Sequence, residues 1–346
     1  MLVEIRTLRR NERELLLALL DGWDVGDGWQ GGAFFRRYLE DDPTFRDERM
    51  WVAADGGELV SCVQVFPRPL QTPSGAVPVG GIGTVFTRPD ARGRGLAGAL
   101  LARAADDMKA RGECVSMLFA GPFAFYEKRG WESWGLRRVL LERVGDGAPV
   151  EGAVELTSFD PARDLASVRA LHEAYSGLLP GTVVRDDALW EASLRNGGNP
   201  HEEFRVVRAR GECVAYLRAV VLSGILVLSE FACAPGFEGA LASAVRASLE
   251  PHDSDPLATG GKPSGELRRV ASTVSLHFAP DLAAALLRNG IAMKEHDDPS
   301  CMLRCLDAEA LAAHVGLPPR ADEPSADLLR RVLPPEDLTF WTADRF

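Results

Sequence analysis

Apolar positions along this chain alternate in short runs and recur every three to four residues in longer ones, which predicts strands and helices in succession. Residues 3–6 read as an opening strand, 12–20 and 32–40 as helices, and 50–53 as a second strand. The runs 59–66 and 76–86 predict a hairpin across a turn at 67–75 rich in proline. From 94 to 111, Leu96, Leu100, Ala104 and Met108 share one helical stripe, and Gly112 fits a left-handed C-terminal cap. A short apolar run at 114–120 predicts a buried strand. After it, Pro122 opens a short helix that Gly130 closes ahead of Trp131.

The second half repeats this order. Residues 155–157 open a strand, 163–175 and 187–194 read as helices, and 204–207, 213–221 and 225–233 as three strands. A helix at 237–249, a strand at 269–277, a helix at 280–288 ending in Asn289-Gly290, and a last strand at 302–306 complete it. The Pro/Gly/Ser/Asp-rich stretch 251–266 predicts a surface loop. The boundary between halves falls near 145–152.

The candidate chemistry lies between the strand ending Val85-Phe86-Thr87 and the helix after it, in Arg92-Gly93-Arg94-Gly95-Leu96-Ala97. A helix start has unpaired N–H groups and partial positive charge, and glycines let a pyrophosphate approach them closely. Arg92 and Arg94 add charge-assisted bonds. The loop lacks both the Gly-Lys-Ser/Thr ending of the P-loop and the three-glycine dinucleotide fingerprint.

The spacing Arg92-x-x-Gly95-x-Ala97 resembles the acetyl-CoA loop of the GNAT superfamily of N-acyltransferases. Tyr126-x-x-x-Gly130-Trp131 is similar to the superfamily's second signature, an aromatic helix ending in Gly-Phe/Trp. The resemblance implies an α/β (α+β) chain of two tandem GNAT folds, each a mixed, mostly antiparallel central sheet flanked by helices. It further implies acetyl-CoA as co-substrate, held by Arg92 to Ala97, with its pantetheine arm on the backbone of Val85, Phe86 and Thr87. Tyr126 is then the general acid. A phenol with a reference pKa of about 10 stays protonated at neutral pH and can protonate a departing thiolate.

Setting Pro235 against Pro89 puts Glu238 at the Arg92 position and Leu241 at the Gly95 position, while Leu286 falls where Tyr126 stands. An anion and a bulky side chain there would repel a pyrophosphate, so one acetyl-CoA site per chain is expected. An active half joined to a degenerate one resembles the Eis family of N-acetyltransferases, which acetylate multi-amine substrates including aminoglycosides. The expected units are a catalytic domain at 1–148, a degenerate GNAT-like domain at 149–306, and a tail at 307–346 packing back toward the active site. Eis-type chains carry a third domain like sterol carrier proteins where this chain has only that tail, and a homo-oligomer is left open. In that family the terminal carboxylate enters the active site, which makes Phe346 the counterpart here. Otherwise the tail aromatics merely seal an apolar groove.

The segment between the first two helices holds Trp23, Asp24, Asp27 and Trp29 among glycines, a combination suited to a cationic amine through ring faces and carboxylates. The same residues also suit a solvated loop with its tryptophans in the core. The net charge of −11 argues against nucleic acid or an anionic membrane as partner. No apolar run is long enough to span a bilayer, and the first ten residues lack a signal-peptide core, so a cytoplasmic protein is expected. The six cysteines lack paired spacing and the six histidines lack ligand spacing, so no metal is expected. The leading reading is transfer of acetyl to a small amine such as an aminoglycoside, a polyamine or a lysine-like compound. A non-catalytic acyl-CoA sensor, or a tandem-GNAT acyltransferase of thiol-cofactor or cell-wall biosynthesis, are the alternatives.

Overall fold

A computed structural model describes residues 3–26, 30–145, 154–196, 202–222, 225–250, 270–318, 320 and 322–345. The strands are β1 (Glu4–Thr7), β2 (Met50–Asp55), β3 (Glu58–Pro67), β4 (Leu70–Thr72), β5 (Gly75–Val77), β6 (Val79–Thr87), β7 (Val115–Phe119), β8 (Glu132–Ser133) and β9 (Leu136–Arg143). They continue with β10 (Val154–Ser158), β11 (Glu203–Ala209), β12 (Glu212–Leu222), β13 (Ile225–Cys233), β14 (Val270–Val274), β15 (Ile291–Asp298) and β16 (Cys301–Cys305). Helices α1 (Arg13–Leu20), α2 (Gly31–Asp41), α3 (Leu96–Ala110) and α4 (Phe123–Glu127) belong to the first half. Helices α5 (Pro161–Ser176), α6 (Asp187–Asn196) and α7 (Glu238–Ser248) follow, with Pro280–Arg288, Ala308–Val315 and Ser325–Val332 beyond them.

Two seven-stranded sheets carry the fold, ordered β1-β2-β3-β6-β7-β16-β8 and β10-β11-β12-β13-β14-β9-β15. Each begins with antiparallel neighbours and then turns parallel once, at β6/β7 and at β13/β14. Helices α1 and α2 cover one face of the first sheet, where Leu16, Leu20, Phe35 and Leu39 meet Val52, Cys62 and Phe86. On the other face α3 buries the predicted stripe, Leu96, Leu100, Ala104 and Met108, against Val63, Val65 and Ile82. Burying a Leu or Met side chain fully contributes about 1.5–3 kcal/mol, so this stripe alone accounts for much of the helix's attachment. The approach is close enough that a Cβ on Gly80 of β6 would lie 2.2 Å from Met108 Sδ, which only glycine permits.

Two expectations need correction. The hairpin across 67–75 is interrupted, because β4 and β5 pair with each other as a separate ribbon and Pro78 separates β5 from β6. Proline has no N–H to continue a ladder. The last strand does not close the second half either: β16 pairs with β7 and β8 in the first sheet. Its place between β14 and β15 is taken by β9 from the first half, a strand absent from the sequence reading. The run Leu136-Arg-Arg-Val-Leu-Leu-Glu-Arg keeps no clean two-residue period, since Arg138 is buried in it alongside Val139.

Candidate active site

Strand β6 pairs with β7 only from Val79 to Ile82, then continues to Thr87 against β3 alone. Two local features open this gap. In β6 an extra residue is accommodated where Cys62 and Gln64 of β3 face Phe86 and Gly83, and Thr84 there adopts a left-handed φ of 50°. A bulge of this kind re-aims side chains and backbone groups. Beyond β7, Ala120 N–H bonds to the Ser300 carbonyl at 2.9 Å, drawing the chain toward β16 and away from β6.

A cavity of about 650 Å³ fills the gap, with Gly83, Thr84 and Val85 on one side and Phe119, Ala120 and Gly121 on the other. Tyr126 lines it from α4, packed edge-on against Phe125 at 5.0 Å and Trp131 at 6.4 Å. Trp131 is fixed in turn by its indole N–H on Ser116 Oγ at 3.2 Å. Burial raises the Tyr126 phenol above its ordinary pKa, with the Arg129 charge opposing, so the hydroxyl is protonated at neutral pH.

On the β6 side the loop after Thr87 turns through Gly93 and Gly95 at φ of 78° and 76° to start α3. Both angles are in the region that side chains disfavour. Among the described residues no acceptor engages the backbone N–H groups of Gly93 to Ala97. Arg92 is exposed and donates to the Thr87 carbonyl at 3.2 Å, while Arg94 pairs with Asp55 at 2.8 Å. Both can turn toward an anion at little cost, because surface pairs are weak.

The remaining expected site residues separate. Trp23 and Asp24 line the cavity, and Trp23 stacks on Phe86 at 5.6 Å. Phe86 therefore points into the layer under α1 and α2, opposite to Val85, as strand alternation requires. Thr87 shares a hydrogen bond with Ser61 at 2.7 Å. The Leu96 side chain belongs to the core and Ala97 is half-buried, leaving only their backbone near the loop. Asp27, Trp29 and Phe346 lie outside the described residues.

Much of the cavity wall was not foreseen. The second half contributes Ser193, Glu202, Val220 and Ser229, and the tail contributes Thr342 to Arg345. The aromatic terminus was the one sequence signal for the tail, whereas the second-half residues give none. Three of the four carboxylates on the wall are matched by arginine: Asp42 by Arg68, Glu202 by Arg218 at 2.9 Å through both oxygens, and Asp344 by Arg185 at 2.7 Å. Burial raises Glu202 above the usual carboxylate range, against the pull of Arg218. Among the described residues the Asp24 carboxylate accepts only from the Gly26 N–H, at 3.0 Å. No cysteine lines the cavity, and burial pushes the Cys62, Cys114 and Cys233 thiols up to about 12, so none is poised as a nucleophile. Among the described residues no group of three or more metal-ligating side chains occurs, and no helix is long and apolar enough to cross a membrane.

The first half thus has a strand gap beside a glycine loop that opens a helix, and the second half repeats its sheet order. Residues 5–134 match the family model for the acetyltransferase (GNAT) domain. Among solved structures the chain is similar to a GCN5-related N-acetyltransferase from Kribbella flavida, with 20% identity, 90% of this chain and 74% of that one covered, and a TM-score of 0.63. It is similar to Eis1 from Mycobacterium abscessus at 20% identity, covering 90% and 76%, with a TM-score of 0.58. N-myristoyltransferase from Saccharomyces cerevisiae with bound myristoyl-CoA aligns at 12% identity over 88% and 79%, with a TM-score of 0.54. These are likenesses of fold. No curated protein matches the chain by sequence.

Proposed function

We propose that this chain is an acetyl-CoA-dependent N-acetyltransferase that acetylates the primary amine of a small acceptor, cationic when free, of the aminoglycoside, polyamine or lysine-like kind. The observation that carries the reading is the continuity of one strand: β6 leads from the cavity at Gly83 to Val85 into the glycine loop with its free N–H groups. The diphosphate would rest on Arg92 to Ala97 and the pantetheine arm along Val85 to Thr87, delivering the thioester beside Tyr126. A myristoyl-CoA-bound neighbour of the same fold supports an acyl-CoA in this gap.

In this mechanism the neutral amine attacks the thioester carbonyl, the C–N bond forms and the C–S bond breaks. Tyr126 gives its proton to the departing thiolate and regains one from solvent, while the amine's proton passes to a carboxylate or water in the cavity. The terminal carboxylate of Phe346 is our candidate base, and the neighbouring tail residues on the cavity wall support it. We assign the catalytic unit to 1–148, which lends β9 to a degenerate repeat at 149–306 and takes β16 from it, and the tail to 307–346. For the repeat, Glu238 opens α7 and Leu241 is fully buried, which leaves neither charge nor space for a diphosphate.

The test is CoA release from acetyl-CoA against a panel of amines, with Tyr126→Phe alongside. Turnover that falls by about 10²- to 10⁴-fold in the variant while acetyl-CoA affinity holds supports the reading. Unchanged turnover removes Tyr126 from the chemistry. Tight acetyl-CoA binding with no turnover on any amine points to the sensor instead.

A further inference from the structure

The tail fixes a guanidinium inside the cavity. Trp341 is fully buried and donates its indole N–H to Ser176 Oγ at 2.9 Å, with its ring 5.0 Å from Phe231. Thr342 Oγ1 accepts from Arg138 at 3.3 Å, and Asp344 accepts from Arg185 at 2.7 Å. With the chain held at these points, Arg345 lies over the Phe119 ring, 4.5 Å from its centroid, where the gap between β6 and β7 widens.

Among the described residues the charge of Arg345 is poorly matched. Its carboxylate partner, Asp298, is 3.8 Å away and takes a closer bond from Arg138 at 3.2 Å, so two cations share one anion. Ser300 Oγ is at the limit of hydrogen bonding, 3.5 Å. Arg68 on Asp42 and Arg185 on both Asp344 and Glu230 are directly paired, while Arg37 of the same wall lies over the Phe34 ring, 4.8 Å from its centroid. Burial lowers the Arg345 pKa from its ordinary value and the Arg138 charge lowers it further, with Asp298 opposing. The same cavity is lined by rings, Trp23, Phe34, Phe35 and Tyr38, each within 5.6 Å of a neighbour.

We infer that Arg345 is an anion-binding group of the acceptor site, and that the acceptor is an apolar amino acid with its carboxylate on Arg345 and its side chain against the ring wall. This rests on the acyltransferase reading and replaces its polycationic acceptors with an amino acid. A guanidinium holds a carboxylate through paired hydrogen bonds. Polyamines and aminoglycosides carry cations and no anion, so they offer Arg345 no charge partner and meet it with repulsion.

The experiment compares L-leucine, L-leucinamide, isoamylamine and spermidine as acceptors for the full chain, by CoA release and by calorimetric binding, in wild type, Arg345→Gln and Arg345→Lys. A hydrogen-bonded ion pair contributes about 1.5–3 kcal/mol, so kcat/KM for leucine should exceed that for leucinamide by about 10- to 150-fold. Arg345→Gln should erase that preference while sparing leucinamide, and Arg345→Lys should restore part of it. Better turnover on leucinamide or spermidine than on leucine, or an equal loss on all acceptors in Arg345→Gln, overturns the inference while leaving acyl transfer standing. Leucine that binds through Arg345 without CoA release from any amine sinks the acyltransferase reading and keeps the subsite.

Discussion

Replacing Arg185 by Met removes the cation that joins Glu230 of β13 to Asp344 of the tail. Arg185 and Glu230 are essentially without solvent contact, and Arg218 Nη1 is 3.8 Å from Glu230, too far to replace a direct bond. Glu230 would keep the Tyr216 O–H at 2.7 Å and His172 Nδ1 at 3.5 Å but no arginine in direct contact, and removing one partner of a buried pair costs about 3–5 kcal/mol. The strand exchange should make the two halves unfold as one cooperative unit. At about 2.1 cal/mol/K per residue, unfolding all 346 residues carries about 0.7 kcal/mol/K of entropy, so that loss lowers Tm by about 4–7 °C. Differential scanning calorimetry of Arg185→Met against wild type makes the measurement, with Asp344→Asn as the milder control because it keeps the Arg185–Glu230 pair. Were the halves to melt separately, two transitions would appear and the affected one would move about twice as far. Two transitions refute the cooperativity, and a single transition lowered by less than about 1 °C refutes the energetic argument for the buried pair.

Acid sensitivity follows from the same network. Burial alone would raise Glu230, but Arg185, His172 and Arg218 overrule it and hold its pKa well below the usual carboxylate range; Asp298 is likewise low despite burial, through Ser300 and Arg138. Unfolded carboxylates take up protons near pH 4, so this stabilisation is complete above that value and is lost as pH falls through the lower folded pKa values. Melting temperature should be nearly flat from neutral pH down to about 5 and drop below about 4, less steeply in Arg185→Met. Gly95→Val forces a β-branched residue into φ of 76°, on the loop read as the diphosphate cradle. It should weaken acetyl-CoA binding in calorimetry by about tenfold or more while the melt falls by only the strain of about 1–3 kcal/mol; unchanged affinity would remove the loop from the site.

The first half was legible because its signals are local. Gly112 and Gly130 adopt the positive φ values that their C-terminal positions suggested, and the stripe from Leu96 to Met108 is buried as its spacing required. Val85 and Phe86 show where such reading ends, since a motif names both while the pleat sends one to the cavity and the other under α1 and α2. The pairing of β16 with β7 joins residues nearly two hundred positions apart, and β9 conceals its strand character behind the buried Arg138. Such choices are made by tertiary partners, so periodicity leaves them open. Glu202, Ser193 and Ser229 reach the cavity only because α6 and β13 are carried there by that assembly.

The exchange of β9 and β16 also dictates a timetable for birth of the chain. A ribosome releases residues from the N-terminus onward, and domains ordinarily fold as they emerge. Here β7 and β8 flank an empty lane until Cys301 to Cys305 have left the exit tunnel, because that strand alone joins them. The first half must therefore wait, with its sheet edge exposed, until residue 305 has been made. Exposed edges recruit other strands, so during synthesis β7 is the segment most in need of a chaperone's cover.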